Sequence, residues 1–441
     1  MKTRPKITFL GAGSTIFLKN LMGDSFLFEG LKDADISLYD IDAVRLEESR
    51  IVLESLNSSI NAGRALIRTF LGVSNRRDAL GQSDFVFNAI QVGGYDPATI
   101  ADFEIPKKYG LRQTIGDTVG IGGIFRGLRT IPVMMDIVGD MEAVCPDALL
   151  LNYTNPMSIV TGAVLKYSSI KTVGLCHSVQ VCVPDLLIEL GMEANNVRWK
   201  IAGINHMAWL LDIRDGKKDL YPEIKNRAAR KNLDEKHDDM VRFEMMKYFG
   251  YYITESSEHF SEYTPYWIRN DVPELIDRFN IPLDEYPRRC VRQIEEWKER
   301  KTEIMSGKAL QHEKTREYGA DIMNAFLTDV PVCIHGNVLN SKNYISNLPA
   351  EAVVEVPCMI DGNGIQPVDA GALPVQCAAL NQTNINVHLT TIEAAMTLKK
   401  EHVYQAALLD PHTSAELAPE KIIALCDDLL EAHSEWLPVY K

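Results

Sequence analysis

Short runs of Val, Ile, Leu and Phe recur through the first part of the chain, each closed by Gly, Asn or Asp. KITFLGAG reads as a strand entering a glycine turn, and ADISLYDID as a second strand. Between them, from about Thr15 to Glu29, apolar residues fall at helical spacing. SDFVFNAI, DALLLNYTNP and KTVGLCH follow as three further strands. Strands that alternate with helices are expected to pair in parallel, with right-handed crossovers. Ligands of such sheets bind at the carboxyl ends of the strands, and most of the unusual residues fall there.

Beyond about residue 200 the pattern changes. WKIAGINHMAWLLDIRD reads as strand, bend and strand. DEKHDDMVRFEMMKYFG and RRCVRQIEEWKERKTEIM are charged and helical in spacing. AAVVEVPCMIDGNGIQP reads as strands and turns, and the tail from NINVHLTTIEAAMTL onward as helix. A chain of 441 residues also exceeds the usual size of one hydrophobic core. The expected fold is α/β: a Rossmann-like doubly wound parallel sheet over residues 1–200, of the lactate and malate dehydrogenase kind. A second, mixed α+β domain follows over 201–441.

Composition narrows the function classes. A formal charge of -14 argues against non-specific nucleic-acid binding, which needs clustered Lys and Arg. The basic start MKTRPK leads into an apolar run of only Ile7 to Leu10, too short for a signal peptide, and no stretch approaches the roughly 18 apolar residues of a membrane span. The eight cysteines form no C-x-x-C pair and read as reduced thiols. A cytoplasmic enzyme is expected.

FLGAGS places Gly11 and Gly13 directly after a strand, with Ser14 opening a helix. Gly11 would allow the tight turn, and Gly13 the close approach of a pyrophosphate to backbone. Ile16 stands where a third glycine is usual. Asp40, closing the next strand, would accept hydrogen bonds from ribose hydroxyls and favour NAD over NADP. NAIQVGG, with Asn88 and Gln91, forms the loop that passes under the cofactor in dehydrogenase-like folds. A solvated Asp and a chance G-x-G are the bland alternative.

KTVGLCHSVQ sets Cys176 and His177 at the end of the fifth strand, and GINHMAW sets His206 after another. A thiolate and an imidazole at two strand ends can hold a divalent metal with positions left open. Equally, a lone Cys is often core and a lone His a satisfied polar group. If accessible, Cys176 should oxidise in air and cost activity.

These residues carry a resemblance. ITFLGAGS, GDTVGIGGIFRGLRTIP, LLNYTNPM, VGLCHSVQ, AGINHMAW, TESSEHFSEYTPYW, PLDEYPRRC, GIQP and TNINV are similar to the NAD-dependent glycosidases of glycoside hydrolase family 4, over essentially the whole chain. The likeness is strongest to that family's bacterial α-galactosidases. It implies NAD and Mn²⁺ as cofactors and hydrolysis through transient oxidation of the sugar at C3. The C2 proton is then removed, the C1 oxygen eliminated, water added and C3 reduced again.

Carried onto this sequence, the resemblance makes Cys176 and His206 metal ligands. Tyr263 is the base at C2, with Glu258 and His259 as rivals, and Asp117 tunes Tyr263. Asn155, its neighbour Asn152, and Arg289 bind the sugar. His177 stands where some relatives carry an acidic general acid, and it could protonate the leaving oxygen. Relatives acting on 6-phosphosugars carry an acidic or amide residue and Val-Pro after the motif cysteine. His-Ser-Val here points to an unphosphorylated hexoside such as melibiose. A homodimer or homotetramer is implied, with apolar C-terminal helices as a candidate interface. Rival readings are another family 4 specificity (α-glucosidase, α-glucuronidase or α-galacturonidase), a plain NAD-dependent hydroxy-acid dehydrogenase, and a silent NAD-binding sensor. The last two have no use for a Cys–His pair.

Overall fold

The computed structural model describes residues 4–304 and 310–441. Met1–Thr3 of the basic start, and Met305 at the end of the expected RRCVRQIEEWKERKTEIM helix, lie outside them. Six strands pair in parallel: β1 (Lys6–Leu10), β2 (Asp35–Asp40), β3 (Leu66–Leu71), β4 (Phe85–Asn88), β5 (Leu149–Asn152) and β6 (Lys171–Gly174). Their spatial order is 3-2-1-4-5-6, the Rossmann arrangement. Every residue of β4 and β5 is buried, which is why they read as unbroken apolar runs. Sequence reasoning missed β3. It is the edge strand, with Leu66 and Leu71 exposed and Arg68 paired to Asp35, so no apolar run marks it.

The sheet continues past β6 in antiparallel fashion. It adds β11 (Val332–Leu339), β12 (Val353–Asp361), β7 (Val197–Ile204), β8 (Met207–Asp215) and the short β10 (Tyr252–Ile253), while β13 (Gly364–Pro367) pairs with β12 and β9 (Lys218–Asp219) with β8. Strands from both sides of residue 200 therefore share one sheet. The largest apolar cluster draws on both as well, joining Phe9 and Leu151 to Trp209, Ile322 and Val354. The boundary expected near residue 200 falls within this shared sheet. The change of pattern near residue 200 marks a switch from parallel to antiparallel pairing, and it covers what would be an open edge at β6.

One line of register positions the site. Gly174, the last residue of β6, lies opposite Asn337 of β11; Asn337 lies opposite Glu355 of β12, and Glu355 opposite Gly203 of β7. The exit of β6 and the β7–β8 turn thus fall at one level across the sheet. Elsewhere the C-terminal helix Val375–Thr397 packs against the long helix Gly120–Val144, and Pro419–Ala432 packs against Ile100–Lys108 and Lys400–Leu409. Ile422, Leu425 and Leu429 are buried there within the subunit, each side chain contributing about 1.5–3 kcal/mol. These apolar faces, expected from the sequence to serve an oligomer interface, are in large part used internally.

Candidate functional site

The first cradle lies at the end of β1. Gly11 has φ +79°, and a Cβ there would stand 2.6 Å from the Ala89 carbonyl oxygen, so only glycine fits. The Gly13 amide donates to Asp40 Oδ2 at 2.6 Å, and the Asp42 amide to Asp40 Oδ1 at 2.9 Å. Ser14 precedes α1 (Thr15–Phe26) and makes no side-chain cap, which leaves the first-turn amides to an anionic ligand. Ile16 is 43% exposed, so the missing third glycine causes no clash. Asn88 is buried and donates to Asn152 Oδ1 (2.8 Å) and Thr154 Oγ1 (3.1 Å). Gln91 is exposed and reaches Thr99 Oγ1 at 3.3 Å. A glycine turn, an uncapped helix start and an acidic β2 terminus fit a dinucleotide.

The second cluster lies on the register line. Cys176, just beyond β6, and His206, in the β7–β8 turn with φ +63°, are joined by Glu255. Their ligand atoms lie within 4.8 Å of one another, and His206 Nε2 stands 3.4 Å from Glu255 Oε2. His206 Nδ1 is buried without a hydrogen-bond partner. One sulfur, one nitrogen and one oxygen donor, held together under burial, suit a divalent transition metal. Burial opposes ionisation of Glu255, but His206 and His259 outweigh it and hold the carboxyl at about 2. Burial pushes the Cys176 thiol up to about 12, with Glu255 adding to the effect. At 8% exposure and fully protonated, this thiol does not meet the condition under which air oxidation is expected.

Glu255, Glu258 and Glu262 are all shielded, although each stands in a polar stretch of the sequence. Sequence reasoning missed Glu255. Glu255 precedes the short helix Ser257–Phe260 and His259 lies within it, and the two side chains meet at 3.8 Å. The His206 and His259 rings lie 4.8 Å apart, and burial lowers His259 to about 4, so it is neutral at pH 7.

Tyr263 is buried, its ring centroid 6.4 Å from that of His206 and its hydroxyl 3.4 Å from the Asn205 carbonyl. Burial, then the negative neighbours Asp117 and Glu255, raises its hydroxyl well above the ordinary tyrosine value. Asp117 accepts from Thr118 Oγ1 (2.6 Å) and Asn155 Nδ2 (3.1 Å), and lies 4.0 Å from His259 Nε2. Burial raises its carboxyl, but Arg126 and His259 outweigh this and leave it lowered. Arg126, also missed, is buried, bonded to the Asn155 carbonyl (3.3 Å) and the Tyr286 hydroxyl (3.1 Å).

Glu262 locks the loop that carries Asp117. Its carboxyl accepts the amides of Thr114 (2.6 Å), Ile115 (3.2 Å) and Gly116 (3.0 Å). Burial nevertheless pushes it up to about 8. A carboxyl raised on folding stabilises fully below its unfolded value, and that contribution is lost as pH rises to the folded one. Between about pH 4.5 and 8 stability should fall by up to ~1.4 kcal/mol per unit from this group. Glu262→Gln should therefore flatten the fall of Tm between about pH 4.5 and 8; an unchanged slope in that window would sink the assignment.

The remaining residues divide. His177 is exposed at the rim, and its charge acts on both Glu255 and Glu317, the latter another half-hidden carboxyl that sequence reasoning missed. Tyr318 ties that segment down by donating to the Cys176 carbonyl at 2.8 Å. Arg289 pairs with Glu258 and, at 3.2 Å, with Glu285. Asn155 faces Asp117 at the site. Asn152 does not: it is buried, its amide donating to Thr161 Oγ1 (3.0 Å) and its oxygen accepting from Asn88 and the Thr154 amide. It braces the strand ends from behind, because a buried amide needs all its partners.

A sequence model described as family 4 glycosyl hydrolase matches residues 6–192, and one described as the C-terminal domain of family 4 glycosyl hydrolases matches 201–413. An α-galactosidase of Bacillus subtilis is 59% identical over 99% of this chain and 100% of its own length. An α-galactosidase of Rhizobium meliloti is 33% identical over 99% of this chain and 89% of its own. Among solved structures, a 6-phospho-α-glucosidase from gut microorganisms, in complex with NAD and Mn²⁺, superposes with a TM-score of 0.80. It covers 99% of this chain and 100% of its own, at 21% identity, a likeness of fold alone. With both halves of the sequence matched and the glycine turn and the Cys–His–Glu cluster in one sheet, the chain belongs to the family 4 glycosyl hydrolases.

Proposed function

We propose that this chain hydrolyses α-galactosides of the melibiose type through transient oxidation of the sugar at C3. The observation that carries the reading is the Cys176–His206–Glu255 cluster, on the same sheet as the Gly11–Gly13 turn. A redox step and a metal-assisted step need both, and the 59% identity to an α-galactosidase supports the substrate. Gly11, Gly13, Ser14, Asp40, Asn88 and Gln91 would hold NAD, which would supply a hydride acceptor for C3 and its later return. Cys176, His206 and Glu255 would hold Mn²⁺, which would supply Lewis acidity toward the negative charge that develops on the sugar.

The chain's own residues do the rest. Tyr263 removes the C2 proton, which the C3 ketone has made acidic. Asp117 and the metal set the proton affinity of Tyr263 in opposite directions. His177, at the rim, protonates the glycosidic oxygen as the C1–O bond breaks. Water then adds at C1, the proton returns to C2 and C3 is reduced, so the net reaction is hydrolysis. Asn155 and Arg289 orient sugar hydroxyls, with Asn152 behind them. Arg289 is already paired with two carboxylates, which suits a neutral hexoside better than an anionic one.

The reading includes a cytoplasmic location and a homodimer or homotetramer. All eight cysteines are free, as a reducing compartment requires, and no helix among the described residues is long and apolar enough to cross a membrane. The test is release of a chromogenic aglycone from an α-galactoside by protein stripped of cofactor and metal, with thiol present. Release is expected only when NAD⁺ and Mn²⁺ are both added. Release by verifiably stripped protein would overturn the redox route, and NAD⁺ binding without release from any α-galactoside would overturn the substrate.

A further inference from the structure

The C-terminal turn lies beyond the residues matched to the family, yet it reaches the cofactor loop. His433 ends the helix Pro419–Ala432 and is fully buried. Its Nε2 bonds Asp102 Oδ1 at 2.8 Å, and Asp102 is gripped by both terminal nitrogens of the buried Arg129, at 3.0 and 2.6 Å. The third guanidinium donor, Arg129 Nε, goes to the Val92 carbonyl at 3.1 Å. Val92 sits in the Ala89–Gly94 loop, whose first residue abuts Gly11. A second contact reaches the same loop from the same turn. Gly93 has φ +78°, and a Cβ there would lie 3.4 Å from the Trp436 ring, which itself packs on His433 with centroids 6.2 Å apart.

Three buried ionisable groups in one chain of contacts are costly unless mutually paired. Here Arg129, while holding Asp102, also gives its Nε donor to a loop carbonyl, so the loop backbone and the C-terminal turn are joined through one side chain. We propose that the turn His433–Trp436 is a positioning element for dinucleotide binding. It acts on the Ala89–Gly94 loop through Asp102 and Arg129 on one path and through Trp436 on the other. This rests on the NAD reading above. The physical consequence is preorganisation: a loop that adopts its binding geometry a tenth of the time weakens affinity about tenfold.

The test uses the full chain with His433→Ala, His433→Gln and Trp436→Leu. Amide hydrogen exchange across Gln91–Gly94 is measured without cofactor, and NAD⁺ and Mn²⁺ affinities by calorimetry. In His433→Ala and Trp436→Leu, loop exchange should accelerate and the NAD⁺ Kd rise about tenfold, with the Mn²⁺ Kd within about twofold of wild type. Glutamine, which can still bond Asp102, should recover most of the loss. Trp436→Leu leaves the buried charges intact and decides the matter if His433→Ala does not fold. Unchanged loop protection in folded Trp436→Leu overturns the proposal, as does equal weakening of Mn²⁺ binding. Wild-type protein that binds no NAD⁺ would overturn the cofactor reading instead, and the exchange measurement would still judge the positioning role.

Discussion

Replacing Cys176 with alanine should remove Mn²⁺ binding and lower α-galactoside turnover by at least about 10³-fold, with NAD⁺ affinity little changed. Metal stabilisation of charge in a transition state is worth several kcal/mol, and about 4 kcal/mol corresponds to that factor. The loss is not a folding effect: the side chain is small, and its bonds are weak thiol contacts to Ser178, at 3.3 Å, and to Asn205. A pH signature accompanies it. In the metal-free protein the thiol is held up at about 12, so each bound ion must displace one proton from sulfur. Affinity for Mn²⁺ should therefore rise about tenfold per unit between pH 7.5 and 9. Glu255, at about 2, is already ionised and adds no proton to that count. Glu255→Gln should keep the slope and lose affinity, whereas Cys176→Ala should lose both. Calorimetry in two buffers of different ionisation enthalpy reads the released proton directly. Retention of tight Mn²⁺ binding in Cys176→Ala would remove Cys176 from the ligand set.

What the sequence made legible follows from what leaves a local trace. The five apolar strands and the strand–bend–strand around His206 were readable because buried strands are continuous hydrophobic runs. Edge strand β3 was not, since none of its residues is buried and its charge faces solvent. The continuity of the sheet across residue 200 was hidden because pairing between Gly174 and Asn337 joins residues far apart in sequence. The same distance hides Glu355, fully buried on the register line behind the metal cluster and bonded to Asn337 at 3.1 Å. Cys176 and His206 stood out because a strand end followed by a reactive side chain is unusual. Glu255 did not, because a carboxylate in a polar stretch reads as solvated until the fold encloses it. Asn152 failed in the opposite sense: a polar residue at a strand end invites a ligand role, and only the partners of its amide show that it is spent on the scaffold.

Tyr263→Phe tests the step that divides this chemistry from direct displacement. Turnover should fall by about 10²–10⁴-fold, the usual range for removing a positioned base. Binding of NAD⁺ and Mn²⁺ should persist, since the hydroxyl's 3.4 Å contact to the Asn205 carbonyl is weak and its removal costs about 1 kcal/mol at most. The sharper readout is isotopic. In deuterium oxide the wild-type enzyme should deliver galactose carrying deuterium at C2, and the variant's residual product should not. The acid limb of the kcat profile carries the same information. Burial and the negative neighbours Asp117 and Glu255 hold the Tyr263 proton tightly in the metal-free state, so only a nearby cation can make the phenolate accessible near neutrality. A base must be deprotonated to act, so activity should rise with pH through that lowered value and the limb should vanish in the phenylalanine variant. Deuterium at C2 in Tyr263→Phe product would transfer the role to His259, which burial keeps neutral and able to accept a proton, 4.8 Å from the His206 ring. A His259→Phe variant that abolished the label where Tyr263→Phe had not would complete that reassignment.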